Sequence, residues 1–213
     1  IRDSDNTGPQ VISVSISPSS GAVGDLLTCS ASASDDDGDT PSLTYSWKNE
    51  TLGLGLGIES SVTLTNDVSS PGDTISCTVT ATDSEDATDT ASTSVIVENS
   101  LPDIDSLAIT PSTGVDTSTP LNCFATATDD DGDTPVLSYA WTNTTTGLTL
   151  STETHVTLTI MTSSPGDTIS CTVTAADVDG GSSTDSVTVA VDNTDPVLGD
   201  VTVFPDSGVT SYT

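Results

Sequence analysis

The residues best placed to do chemistry in this 213-residue chain are its aspartates. Asp35, Asp36, Asp37 and Asp39 crowd around Gly38, and the string DDDGDTP recurs 94 positions later as Asp129, Asp130, Asp131, Gly132 and Asp133. A second acidic group, Asp83, Glu85, Asp86 and Asp89, follows the first of two identical SSPGDTISCTVTA strings, and Asp177 follows the second. Carboxylates at alternate positions, with a glycine free to turn tightly, present the hard oxygens that calcium selects. Asp35, Asp37, Asp39 and Asp83, with Asp129, Asp131, Asp133 and Asp177, are therefore candidate calcium ligands. The pattern is not an EF-hand: the glycine stands fourth rather than sixth, and no Glu holds the twelfth position. The same string also reads as a solvated turn in which Asp and Gly serve turn geometry. Paired carboxylates can hydrolyse glycosides. Here they repeat along the chain with no aromatic platform to seat a sugar, which argues against catalysis.

Few other groups are available. Asp plus Glu number 32 against 2 Lys plus Arg, a formal net charge of −30, with one His and aromatics at 3%. Two cations cannot neutralise a phosphate backbone, which excludes nucleic acid as a partner. An anionic membrane surface would repel the chain, and no apolar run is long enough for a membrane span. General acid–base and nucleophilic catalysis lack their usual side chains, so no enzyme is expected. Asn49-Glu50-Thr51 and Asn143-Thr144-Thr145 are sequons at equivalent positions, two residues after Trp47 and Trp141. They make Asn49 and Asn143 candidate glycan acceptors. Thr-rich stretches such as TNTTTGLT are candidates for O-linked sugar. His155 is expected on the surface.

The elements that must position these groups are strands. There are 33 Ser and 40 Thr, and apolar residues alternate with them; no stretch sustains a 3.6-residue period. The 94-residue offset defines two full units, 9–101 and 102–195. Residues 1–8 match the tail of a preceding unit, and 196–213 match the start of a third. In the first unit the strands are expected at Val11–Ser17 (A), Leu27–Ala33 (B), Leu43–Lys48 (C), Ser61–Thr65 (E), Thr74–Thr82 (F) and Thr93–Val97 (G). Gly53–Gly57 is expected as a loop or a weak edge strand. Leu27, Cys29, Ala31, Leu43, Tyr45, Trp47, Val62, Leu64, Ile75, Cys77 and Val79 would face inward. This pattern predicts an all-β chain of tandem two-sheet β-sandwiches, about 94 residues each.

Cys29 and Cys77 are 48 residues apart, as are Cys123 and Cys171, and a Trp follows the first Cys of each pair by 18. A Cys on B, a Trp on C and a Cys on F resemble the core of immunoglobulin domains. The resemblance implies Cys29–Cys77 and Cys123–Cys171 bridges, each contributing roughly 3–4 kcal/mol through the loop it closes. Free thiols in a reducing compartment would be the alternative; a zinc site would need closer spacing. The segments Ala127–Trp141 and Pro165–Asp177 and the linker Asp192–Pro196 are also similar to PKD and cadherin-like repeats. That family resemblance implies extracellular stalks or adhesive rods, such as those of long bacterial surface proteins.

In a sandwich of this order the BC loop, the FG loop and the start of strand A share one end. The acidic clusters should therefore meet the linker at the junction with the preceding unit, where their mutual repulsion would favour a cation. The expected function is a structural segment of an extracellular filament, stalk or adhesin rod. The alternative is a carbohydrate-binding or adhesion accessory array, which should display exposed aromatics. Opening on Ile1, the chain reads as a processed or partial product. The strand Val201–Phe204 would be completed either within a longer chain or by strand addition to a neighbour.

Overall fold

The computed structural model describes residues 6–200. The expected strand Val201–Phe204 lies outside them. The first unit has seven strands: β1 (Gln10–Ser17), β2 (Leu26–Ser34), β3 (Ser42–Asn49), β4 (Leu54–Gly57), β5 (Ser61–Thr63), β6 (Thr74–Thr82) and β7 (Thr88–Ile96). The second repeats them as β8 (Asp103–Thr110), β9 (Pro120–Thr128), β10 (Val136–Asn143), β11 (Leu148–Ser151), β12 (His155–Thr157), β13 (Thr168–Ala176) and β14 (Ser182–Ala190). Every described residue in a regular element is in a strand.

Each unit folds into two sheets. In the first, β1-β2-β5 face β4-β3-β6-β7; in the second, β12-β9-β8 face β11-β10-β13-β14. All strand pairs are antiparallel, and a single parallel bridge, Gly21 to Val97, carries the chain beyond β1 across to the end of β7. This is an immunoglobulin-like sandwich, repeated twice. The connection between the first two strands is one residue longer in the second unit, Pro111–Thr119 against Pro18–Asp25, which puts β8 one residue out of step with the 94-residue offset.

The alternation sets the core because successive side chains in a strand point to opposite faces. Leu27, Cys29, Trp47, Leu64, Ile75, Cys77 and Val79 are buried, and Ala31, Leu43, Tyr45 and Val62 pack against them. Ile16, Val95 and Val97 complete this core from β1 and the end of β7. The second core repeats it around Trp141, Leu121, Leu158, Ile169 and Val173. Each fully buried Leu, Ile or Val side chain contributes about 1.5–3 kcal/mol. Disulfides Cys29–Cys77 and Cys123–Cys171 link the two sheets of each unit. The buried indole N–H of each Trp donates to a backbone carbonyl, Trp47 to Glu59 and Trp141 to Glu153, both at 3.0 Å.

One strand departs from expectation, and the alternative left open at Gly53–Gly57 is resolved. β7 begins at Thr88, five residues before the expected Thr93, because β6 pairs along its whole length, from Thr74 opposite Ile96 to Thr82 opposite Thr88. The glycine-rich run forms the short edge strand β4, paired only with β3.

Candidate functional site: the inter-repeat joint

The β2–β3 and β6–β7 loops emerge at the same end of each sandwich, where the linker from the preceding residues comes in. In the β2–β3 loop Asp35 starts the turn: its Oδ1 accepts from Asp37 N at 2.8 Å, and Gly38, at φ 89°, closes onto the Asp35 carbonyl. Asp129, Asp131 and Gly132 build the same turn in the second unit, again with 2.8 Å and φ 89°. A positive φ suits glycine, which lacks the Cβ that makes this region unfavourable. This turn leaves the Asp37 and Asp131 carboxylates pointing away from their own backbone and towards the linker.

The linker meets them with donors. Thr7 N donates to Asp37 Oδ2 at 2.6 Å, and its hydroxyl donates to the same oxygen at 2.9 Å. Asn6 Nδ2 donates to Asp83 Oδ2 at 3.0 Å. At the second joint Ser100 N donates to Asp131 Oδ2 at 2.6 Å, and Asn99 Nδ2 donates to Asp177 Oδ2 at 2.9 Å. The segment ahead of each unit therefore uses the same two acceptors, one aspartate from each loop, through a backbone N–H and an Asn amide. Asp83 Oδ1 also accepts from Glu85 N and Ala87 N, and Asp177 Oδ1 from Gly181 N. Gly181 leaves no room for a side chain: an added Cβ would lie 2.6 Å from Asn99 Nδ2 and 2.8 Å from Leu101 Cδ2.

These partners set the charge state of the loops. At Asp83 burial pushes the carboxyl up, but the hydrogen bonds from Asn6, Ala87 and Glu85 outweigh it and hold it below the usual carboxylate value. At Asp177 the Asn99 amide is the main cause of a similar lowering, against burial and with the loop N–H groups. Asp133 goes the other way. Burial, then the carboxylates of Asp179, Asp129, Asp131 and Asp177, raise it.

The structure thus brings Asp37 and Asp83 to one joint and Asp131, Asp133 and Asp177 to the next, with Asp39 held by the Ser84 hydroxyl at 2.7 Å. Asp89, grouped with the loop acids from sequence, sits on β7 and accepts from Val11 N at 2.8 Å. For a hard cation the fit is partial. Asp35 Oδ2 and Asp129 Oδ2 are enclosed with no hydrogen-bond partner, and the crowding at Asp133 would be relieved by positive charge. Against this, linker donors already occupy Asp37, Asp83, Asp131 and Asp177. Among the described residues no three His, Cys, Asp or Glu side chains converge as a preformed metal site. The donors Asn6, Thr7, Asn99 and Ser100 escaped the sequence reading. Their signal was the recurring Asn-Thr, Asn-Ser, Asn-Thr dipeptide at 6–7, 99–100 and 193–194.

The sequon asparagines Asn49 and Asn143 are turned inward rather than to solvent. Both side chains are 0% exposed. Asn49 Nδ2, the atom a sugar would occupy, donates to Asp73 Oδ2 at 2.7 Å and to the Val68 carbonyl at 2.9 Å. Asn143 Nδ2 does the same with Asp167 at 2.7 Å and Thr162 at 3.1 Å. The sequon threonines are engaged too: Thr51 and Thr145 hydroxyls accept from Thr74 N and Thr168 N. The sequon here is a structural lock on the end of β3. Its acidic partners, Asp73 and Asp167, lie inside the PGDT strings. His155, on the edge strand β12, is exposed.

No protein-family model matches the chain, and no curated protein matches it. Among solved structures, Sidekick-1 immunoglobulin domains 1–5 align at 16% identity and TM-score 0.39, over 88% of this chain and 39% of that one. The N-terminal four Ig domains of Dscam1 align at 11% and 0.38, over 88% and 46%. Three N-terminal domains of the bacteriophage RB49 outer capsid protein Hoc align at 12% and 0.34, over 88% and 71%. The chain spans less than half the length of the first two. The assignment of the fold rests on its own strand order, bridges and buried tryptophans.

Proposed function

We propose that the chain is a structural segment of an extracellular rod, stalk or filament, built from PKD-like units of the kind found on bacterial surfaces. The observation that carries this reading is the repetition of the joint: two successive linkers dock onto two successive units through the same Asn and Thr/Ser donors. Tandem units that contact only their neighbours add length without needing a shared core. Two bridged cores with no described free cysteine suit an oxidising compartment. The accessory sugar-binding reading is less well supported. Trp47 and Trp141 are buried, Tyr45 and Tyr139 are half-buried, and Phe124 is the one exposed aromatic among the described residues. Electron microscopy of the native particle tests the proposal. Filaments or stalks with a regular repeat along the axis are expected, and short globular monomers would overturn it.

The acidic loops extend the reading to calcium. Asp35 and Asp39, and in the second unit Asp129 and Asp133, are the carboxylates least engaged by the linker and would hold the ion; it would neutralise the crowding around Asp133. A ligand of the folded state stabilises by mass action, about 2.7 kcal/mol at a hundredfold excess over Kd. A thermal melt with calcium and with chelator should differ by several degrees, and coincident melts would leave the turn reading.

A further inference from the structure

Within this reading, we propose that the Asn-Ser/Thr dipeptide ahead of each unit is a hydrogen-bonded clamp that sets the orientation of one repeat on the next, independently of any metal. Asn99 and Ser100 are its positioning residues at the joint between the two described units. Asn99 reaches the β13–β14 loop through Asp177, and Ser100 reaches the β9–β10 loop through Asp131. Two loops separated by 46 positions of chain are thus held by adjacent linker residues, which fixes the linker's direction as well as its place. Two attachment points define an orientation where one would leave a swivel. A third contact comes from the body of the first unit: Asn66, beyond β5, sits against Gly132, where an added Cβ would lie 2.7 Å from its Nδ2. Among the described residues nothing lies within 4 Å of the same position at the corresponding Gly38, so the close approach is not a property of the turn itself.

The acceptors suit this role. The described contacts of the Asp131 carboxylate are to Ser100 alone, through its N–H and its hydroxyl at 3.3 Å. The Asn99 amide donates to nothing in its own sandwich. These groups are therefore spent on the joint, whereas Asp129 Oδ1 and Asp177 Oδ1 shape the loops. The dipeptide returns at Asn193–Thr194, both exposed. There it offers the donor half of the same clamp, and its partner would be the paired loop aspartates of a further repeat of this kind.

The test uses the whole chain in chelator, so that any calcium effect is absent, with spin labels on an exposed strand position of each unit. The unsubstituted protein should give one narrow inter-label distance distribution. Asn99→Ala, Asp131→Ala and the double variant should broaden it, the closed-to-open ratio of the joint falling about tenfold for each lost charge-assisted bond. Asp130→Ala, an exposed acid with no described hydrogen bond, is the control for lost charge and should leave the distribution narrow. Both sandwiches should still fold and melt cooperatively in all variants, their midpoints lowered by no more than the few degrees that one lost joint bond is worth, since neither Asn99 nor the Asp131 side chain serves a unit's own hydrogen bonds. Distributions that superpose on the unsubstituted one would overturn the clamp while leaving the rod untouched, and broadening in Asp130→Ala alone would do the same.

Discussion

The two ends of each sandwich use the same pair of groups for different work. At one end Asn49 donates to Asp73 at 2.7 Å with both side chains buried. At the other, Asn6 donates to Asp83 at 3.0 Å in a part-buried setting where the linker comes in. The second unit repeats both, Asn143 with Asp167 and Asn99 with Asp177. The buried pair joins strands of one sheet and belongs to the fold. The part-buried pair joins a linker to a loop and belongs to the joint. Burial, not residue type, separates a structural amide–carboxylate bond from an assembling one, because an unpartnered polar group costs far more where water cannot replace the partner.

The sharpest way to break this comparison is to delete one partner on each side. Asp73→Ala strands the Asn49 amide inside the protein and should lower unfolding stability by about 3 kcal/mol, read by denaturant titration. A loss below that of an ordinary surface substitution would mean the buried pair is not a lock. Asn6→Ala removes only a part-buried bond and should cost less than about 1 kcal/mol by the same titration. Equal losses for Asp73→Ala and Asn6→Ala would erase the distinction.

Acidification sharpens the comparison further. Asp83 and Asp177 titrate below the ordinary value of 3.8 in the folded protein. Their contribution is fully present above the unfolded value and is lost as pH falls through the lower, folded one. Asp133 is raised above 3.8, so it opposes folding at neutral pH, and protonating it between its folded and unfolded values relieves that opposition. A stability profile should therefore hold or rise slightly just above pH 3.8 before it falls. Asp133→Asn should remove the early rise, and Asn99→Ala should move the later fall to higher pH. The smallest expected effect is none at all. Expression in a host that glycosylates sequons should leave folded protein with no mass added at Asn49 or Asn143, because the acceptor nitrogens are enclosed.

The core strands were the most legible part of the molecule. Alternation along Leu27–Ala33 and Thr74–Thr82 is set by one buried face, and that signal survives in any sandwich. The start of β7 was hidden because Thr88, Asp89 and Thr90 read as part of an acidic loop. Their strand character comes from pairing with Thr82, Ala81 and Thr80, a tertiary fact. β4 was uncertain for a related reason: glycine weakens a strand, and only the β3 edge stabilises it. At the joint, the convergence of Asp37 with Asp83 followed from topology, but the donors did not. An asparagine in a linker and one in a sequon look alike until the chain is folded.

The bridges have a mechanical consequence. When the chain is drawn out from its two ends, the residues between Cys29 and Cys77, a separation of 48, cannot lengthen, and the same holds between Cys123 and Cys171. At about 3.4 Å per extended residue, each bridge withholds roughly 160 Å of slack. A unit whose hydrogen bonds give way under load would release only its outer strands and linker, then stop short against a covalent limit. Yielding would be brief and bounded in each unit, and the material would behave as a tether with a fixed maximum reach.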